Sequence, residues 1–310
     1  MPAHDIVVIG TSAGGVEALK TLVQELPSDL PAAVFIVMHV QARVRSHLPE
    51  ILRAAGSLPA VHPEDSAPIQ HGRIYIAPPD RHLILERDHV HLSMGPKEEH
   101  HRPCINVLFR SAALNFGERV AGVILTGELD DGVAGLFEIK RRGGVAIVQN
   151  PEEATSPSMP LSALREMEAD YTVSVKDMGK LISRLAQQEA ERKRTGIEGA
   201  EMESKLTDLT CPDCRGTIWE EVRGNTREYF CRVGHRYSAK SMLTEHFAAQ
   251  EKALYAAVVA LEEGASLAAR LAHQFEDELR DKLLHESREH QLQAQAVRRV
   301  LEERQTFNLD

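Results

Sequence analysis

Gly10-Thr11-Ser12-Ala13-Gly14-Gly15 sets a serine in a glycine-rich turn. The turn lies between a short apolar run, Asp5–Gly10 (DIVVIG), and a stretch with helical spacing, Val16–Leu26. The pattern is G-x-S-x-G. A sharp strand-to-helix turn lifts the serine hydroxyl above the sheet edge, and glycines allow the tight backbone. The helix N-terminus presents free N–H groups and a partial positive charge, suited to an oxyanion formed when Ser12 attacks a carbonyl. Two plainer uses of such a turn compete. Phosphate-binding turns of the G-x-G-x-x-G kind need glycine where Ser12 stands, and no Walker lysine follows. A serine here can also be a simple helix N-cap.

The next apolar run, Ala33–Met38 (AVFIVM), ends at His39. If the two runs are adjacent parallel strands, residues 12 and 39 meet at the carboxyl edge of the sheet, where open α/β sheets place their sites. A neutral imidazole there can take the Ser12 proton. A third run, Val120–Leu125, leads into Thr126-Gly127-Glu128-Leu129-Asp130-Asp131-Gly132. The paired acids either cap the helix that follows or supply one carboxylate to accept the histidine N–H and fix its tautomer. The order Ser-His-Asp differs from the α/β-hydrolases, chymotrypsin and subtilisin.

These residues need a sheet to converge on, and the first 186 residues supply its pattern. Strand signals recur at Gly72–Ala77, His82–Leu85, Val120–Leu125, Val145–Gln149 and Tyr171–Val175. Helical spacing recurs at Val44–Ala54, Ile105–Phe116, Gly132–Arg142, Ser162–Met167 and Asp177–Ala186. Strands separated by helices imply right-handed crossovers and a three-layer, doubly wound, mostly parallel α/β sheet. Residues 187–206 read as a charged linker or solvated helix, 207–240 as a small cysteine-bearing module, and 241–310 as helix. A break near Gln274–Glu278 would make that last segment an antiparallel helical pair, with one long helix as the competing reading.

The chain has 310 residues, a formal net charge of −10 and 43% hydrophobic residues. That sign disfavours nucleic acid and anionic lipid as partners. No apolar run approaches the roughly 18 residues of a membrane span, and no secretory signal opens the chain, so a cytoplasmic location is expected.

Ile9–Gly15, Met38-His39, Tyr75-Ile76-Ala77-Pro78-Pro79-Asp80-Arg81-His82 and His101-Arg102-Pro103 together resemble the catalytic domain of CheB-type protein-glutamate methylesterases. So do Val107-Leu108-Phe109, Leu125-Thr126-Gly127, Asp131-Gly132 and Gln149-Asn150, in order across about residues 3–186. The resemblance implies hydrolysis of glutamyl methyl esters on chemoreceptors, with methanol released, and deamidation of receptor glutamines in some members. It makes Ser12 the nucleophile, His39 the base and Asp131 the third member. The Ala13 N–H becomes the candidate oxyanion donor, with Arg102 and His101 lining the site. No cofactor is implied for the chemistry. The chain departs from the pattern at Ala13, usually Thr, and at Glu128-Leu129, usually Met-Gly. Such enzymes commonly carry an N-terminal receiver domain, for which four residues before the first strand leave no room. A catalytically weak or inactive regulatory protein on the same fold is the alternative reading.

Cys211, Cys214, Cys231 and His235 form a C-x2-C-x16-C-x3-H pattern. Two closely spaced pairs of soft or borderline ligands suit a structural, tetrahedral Zn2+. Thr217–Phe230 has room for a hairpin with Gly224-Asn225 near its turn. Residues 207–240 hold six Lys or Arg against five Asp or Glu, so a partner-protein docking role for the tail is expected over nucleic-acid binding. Cys104, outside the cluster, reads as a core or near-site thiol.

Overall fold

Runs of Val, Ile and Ala build the centre of a seven-stranded parallel sheet. Its strands are β1 (Ile6–Thr11), β2 (Ala33–Met38), β3 (Ala60–Val61), β4 (Arg73–Ile76), β7 (Val120–Ile124), β8 (Val145–Gln149) and β9 (Tyr171–Val173), in the order β3-β4-β2-β1-β7-β8-β9. The computed structural model describes residues 4–40, 44–188, 204–223, 226–276 and 278–303. All six residues of β1 are buried, because helices cover both faces. Side-chain alternation divides them: Val7 and Ile9 enter one core, Ile6 and Val8 the other. Helices α1 (Gly15–Gln24), α2 (Leu48–Ala55) and α6 (Val175–Gln187) close the first core. Helices α3 (Ile105–Phe116), α4 (Val133–Arg141) and α5 (Ser158–Glu166) close the second.

Differences from the sequence reading have local causes. The helix expected from Val44 starts at Leu48, with Pro49 in its first turn, where a missing N–H costs nothing. α6 starts two residues before Asp177 because Ser174 caps it, accepting from the Asp177 N–H at 3.2 Å. His82–Leu85 is a strand, β5, but it does not join the main sheet. It pairs antiparallel with β6 (Val90–Ser93), and Leu83, Leu85 and Val90 pack this hairpin into the second core.

β10 (Ser204–Thr210), β11 (Thr217–Arg223), β12 (Thr226–Cys231) and β13 (Arg236–Ser238) form a separate four-stranded antiparallel sheet. β11 and β12 are the hairpin expected around the cysteines; its turn residues Gly224 and Asn225 lie outside the described residues, as does most of the expected linker. The chain divides into two compact units, Met1–Ser241 and Met242–Asp310. The second holds α7 (Ala239–Ala272) from Met242 onward and α8 (Glu278–Glu302), which run antiparallel: the Ser287 hydroxyl donates to the Ala265 carbonyl at 2.8 Å, and Arg298 pairs with Glu262 at 2.7 Å. Among the described residues no helix is long and apolar enough to cross a membrane.

Candidate active site

β1 and β2 pair in flush parallel register, Thr11 opposite Met38, so the next residues, Ser12 and His39, leave the sheet side by side. β7 lies on the other flank of β1 and clamps the serine turn. The Ser12 N–H donates to the Thr126 carbonyl at 3.0 Å, the Thr11 hydroxyl to the same carbonyl at 2.8 Å, and the Thr126 hydroxyl to the Ala13 carbonyl at 2.9 Å. Two glycines are required by geometry. Gly14 stands at φ 77, the left-handed region that favours glycine. A Cβ on Gly127 would collide with the Met159 sulfur and come within 2.9 Å of Ser12 Cβ.

His39 Nδ1 lies 3.2 Å from Ser12 Oγ, and His39 Nε2 lies 2.8 Å from Asp131 Oδ2. A proton on Nε2, donated to Asp131, leaves Nδ1 free to accept the serine proton. Asp131 is 2% exposed and fully occupied. The N–H groups of Ile105 and Asn106, at the start of α3, donate to it at 2.7 and 3.0 Å, and the Cys104 thiol at 3.2 Å. The acid therefore caps a helix, but α3 and not the α4 that follows it in sequence. Burial alone would raise its carboxyl; the His39 hydrogen bond and charge, with the α3 N–H groups, hold it below the ordinary carboxylate range. Asp130 is its opposite. Burial pushes that carboxyl up to about 6, against the Ser238 hydroxyl and the Lys240 charge. Two adjacent acids driven apart in this way have different roles.

The His101 ring stacks on His39 with centroids 3.5 Å apart and planes 12° apart. Burial, then the neighbouring His39 charge, lowers His101 to about 4, so it covers His39 as a neutral ring. Ala13 is exposed at the start of α1, open to a ligand oxygen. Arg102 makes no hydrogen bond to Ser12, His39 or Asp131. It braces the rim instead, donating to Asp80 at 2.7 and 2.9 Å and to the Met94 and Gly95 carbonyls at 2.9 and 2.8 Å.

A family model described as CheB methylesterase matches residues 7–182. The chain belongs to the CheB methylesterase family. It is thus a carboxylic ester hydrolase by family. Among curated proteins, a putative protein-glutamate methylesterase/protein-glutamine glutaminase of Leptospira interrogans is 37% identical over 191 residues, 61% of this chain and 99% of that protein. A protein-glutamate methylesterase/protein-glutamine glutaminase of Methanosarcina mazei is 35% identical over 190 residues, 59% of this chain and 52% of the relative. The crystal structure of the Thermotoga maritima CheB methylesterase catalytic domain matches with a TM-score of 0.57 and 30% identity, covering 60% of this chain and all but 1% of that one (99%).

Against the methylesterase pattern, one departure acquires a physical meaning. Leu129 occupies the position where the family resemblance has glycine, and it stands at φ 63. A leucine there carries a steric cost of about 1 kcal/mol or more, which glycine avoids. The Ser158 and Ser162 hydroxyls fix its carbonyl at 3.3 and 3.2 Å.

The second cluster of the methylesterase also assembles. One ligand atom each from Cys211, Cys214, Cys231 and His235 all fall within 4.8 Å of one another. Cys214 Sγ to Cys231 Sγ is 3.7 Å, and His235 Nδ1 is 3.7 Å from Cys211 Sγ and 3.5 Å from Cys231 Sγ. Sulfurs about 2.3 Å from a tetrahedral zinc are about 3.8 Å apart, so the donor set fits that ion. Nδ1, and not Nε2, faces the cluster, a choice no spacing rule could make.

Cys104, read from the sequence as a core or near-site thiol, is both: it is buried and donates to Asp131. The sequence reading missed the turn at Glu98–His101, which carries His101. Cys104 precedes a helix and follows the His-Arg-Pro motif, which was the available signal. The turn had none, because its charged residues resemble any solvated loop.

Proposed function

We propose that this methylesterase hydrolyses γ-glutamyl methyl esters on chemoreceptors, in the cytoplasm, through Ser12, His39 and Asp131. The observation that carries the reading is the continuous hydrogen-bonded chain from Ser12 Oγ through both imidazole nitrogens to a buried carboxylate that also accepts two N–H groups of α3. Ser12 Oγ attacks the ester carbonyl as its proton passes to His39 Nδ1. Asp131 stabilises the imidazolium, and the Ala13 N–H at the positive end of α1 receives the oxyanion. Collapse of the tetrahedral adduct breaks the C–O bond, and the Nδ1 proton leaves with methoxide as methanol. Water then attacks the acyl-serine with His39 again as base, which frees the glutamate and restores Ser12. A receptor glutamine would follow the same course with ammonia leaving. The alternative, a regulatory protein without useful turnover, draws on Glu128 and Leu129. Neither interrupts the hydrogen-bonded chain described above.

The chain incubated with receptor carrying radiolabelled methyl esters is expected to release labelled methanol. Release no faster than from receptor alone would overturn the reading.

Zn2+ would be held by Cys211, Cys214, Cys231 and His235 Nδ1. With four protein ligands it would be closed to substrate and would supply folding free energy to a sheet with little core of its own. Metal analysis after native purification is expected to give about one equivalent of zinc per chain, falling below about a tenth in Cys214→Ser. Less than a tenth in the unaltered chain would remove zinc from the account.

A further inference from the structure

His101 reaches His39 from a tight turn. The His101 N–H donates to the Glu98 carbonyl at 2.8 Å, and the Glu98 N–H to the His101 carbonyl at 3.3 Å. Both central residues are left-handed: Glu99 has φ 48 and His100 φ 63. Turns of this form favour Gly, Asn or Asp, so Glu-His is strained and persists only where surroundings over-determine it.

The surroundings are the ribbon. The Glu99 N–H donates to the Arg236 carbonyl of β13 at 2.8 Å, and the Ser238 N–H donates to Glu99 Oε2 at 3.0 Å. Glu99 is 3% exposed. The His100 ring lies 5.3 Å from the Tyr237 ring, and the Tyr237 hydroxyl donates to Asp213 at 2.8 Å and stands 3.3 Å from the Cys211 sulfur. Both strained residues are therefore tied to β13 and, through Tyr237, to the Cys211 knuckle. Ser238 also donates its hydroxyl to Asp130, the neighbour of the triad acid, at 2.9 Å. Ser12 remains half-buried and Ala13 exposed, so the ribbon flanks the nucleophile without covering it.

We propose that the three-cysteine, one-histidine ribbon is a positioning element of the esterase site: through Glu99 and His100 it holds the 98–101 turn left-handed and so keeps the His101 ring on His39. The proposal rests on the triad reading given above. Glu99 is the positioning residue; its hydrogen bonds run to Arg236 and Ser238, with none to Ser12, His39 or Asp131. Released from the ribbon, the turn relaxes out of the left-handed region and His101 leaves the face of His39. That face then hydrates, and the imidazole loses its fixed line between Ser12 and Asp131.

The test uses the full, zinc-loaded chain and two readouts. The first is the ring-current displacement of the His39 ring protons by His101, read by NMR and assigned with His39→Gln and His101→Gln. The second is the rate of Ser12 labelling by a fluorophosphonate across pH. Glu99→Ala is expected to abolish the displacement, slow labelling about 10-fold or more and move the midpoint of its pH profile. Glu99→Gln, which keeps an oxygen for the Ser238 N–H, is expected to restore all three. Stripping zinc from the unaltered chain with a chelator, with circular dichroism showing the α/β domain retained, is expected to reproduce the Glu99→Ala result. That arm also serves if Glu99→Ala does not fold. A His39 displacement that survives Glu99→Ala, or survives zinc removal, overturns the proposal. Labelling of the unaltered chain no faster than of Ser12→Ala overturns the triad reading instead, while the NMR displacement still decides the brace.

Discussion

Replacing Ser12 by alanine is expected to lower kcat for methyl-ester hydrolysis by about 10⁴–10⁶-fold, leaving only the contribution of binding and oxyanion donors. At 1.36 kcal/mol per tenfold, that is about 5–8 kcal/mol of transition-state stabilisation. The fold should hardly register the change. Among the described residues Ser12 Oγ has one hydrogen bond, to His39, and Ser12 is half-buried. Losing one such bond costs about 0.5–1.5 kcal/mol, a shift of a few degrees in Tm for a domain of this size. KM should move little, because the proposed mechanism uses the hydroxyl in the reaction and not in ground-state binding. Labelled methanol release and a thermal melt on the same sample check both halves. A variant that keeps more than about a hundredth of the rate would remove Ser12 from the role of nucleophile.

Ser12 and His39 were legible because parallel pairing makes sheet edges predictable. Two buried runs that end at equivalent positions put their next residues together, and the observed register does so without a slip. The choice between Asp130 and Asp131 was not legible from the residues alone. Both lie in the loop between β7 and α4, and what separates them is the N-terminus of α3, more than twenty residues away in sequence, which meets one carboxylate and not the other. The resemblance to a known family named Asp131, but the reason is tertiary packing. The imidazole orientation is likewise set by which nitrogen Asp131 reaches, and no sequence signal encodes it.

The ribbon divides in the same way. Its Cys/His spacing was plain, since residues able to share one metal ion recur at short range in a sequence. Its docking beside the active site was not, because the seam is made of charged and polar residues. Glu99, Arg110, Glu228, Arg236 and Ser238 are all of residue types that ordinarily face solvent. In the fold Glu228 is buried, with Arg110 and Arg236 at 3.6 and 3.7 Å from its carboxylate. Hydrophobic periodicity, the strongest signal in a sequence, says nothing about an interface of that kind. Leu129 at φ 63 is the converse case: the sequence carried no mark of strain, and only comparison with a pattern that has glycine there gave a hint.

Asp131→Asn should lose both activity and stability, and this sets it apart from Ser12→Ala. Asp131 accepts four hydrogen bonds and donates none: His39 Nε2 and the Ile105 N–H at Oδ2, the Asn106 N–H and the Cys104 thiol at Oδ1. An asparagine amide has only one oxygen. With its NH2 at the Oδ2 position it confronts the Ile105 N–H and drives His39 to the tautomer that protonates Nδ1, so the base facing Ser12 is lost. With its NH2 at the Oδ1 position it confronts the Asn106 N–H. Each arrangement leaves a buried donor facing a donor, at a cost of about 1–3 kcal/mol, and removes a charge favoured by the α3 N-terminus, worth up to about 1 kcal/mol more. The expected result is a kcat reduced by about 10⁴-fold and a Tm lowered by about 5–15 °C. The stability loss has a defined pH dependence. Folding holds the Asp131 carboxyl below its ordinary range, so its contribution is fully present above the unfolded value of about 4 and is lost as pH falls through the lower folded value. The gap in stability between the unaltered chain and Asp131→Asn should therefore be constant above about pH 5 and narrow in acid. Denaturant melts of both proteins across pH measure it. A gap that stays constant down to about pH 2 would mean that Asp131 is not held ionised by His39 and α3.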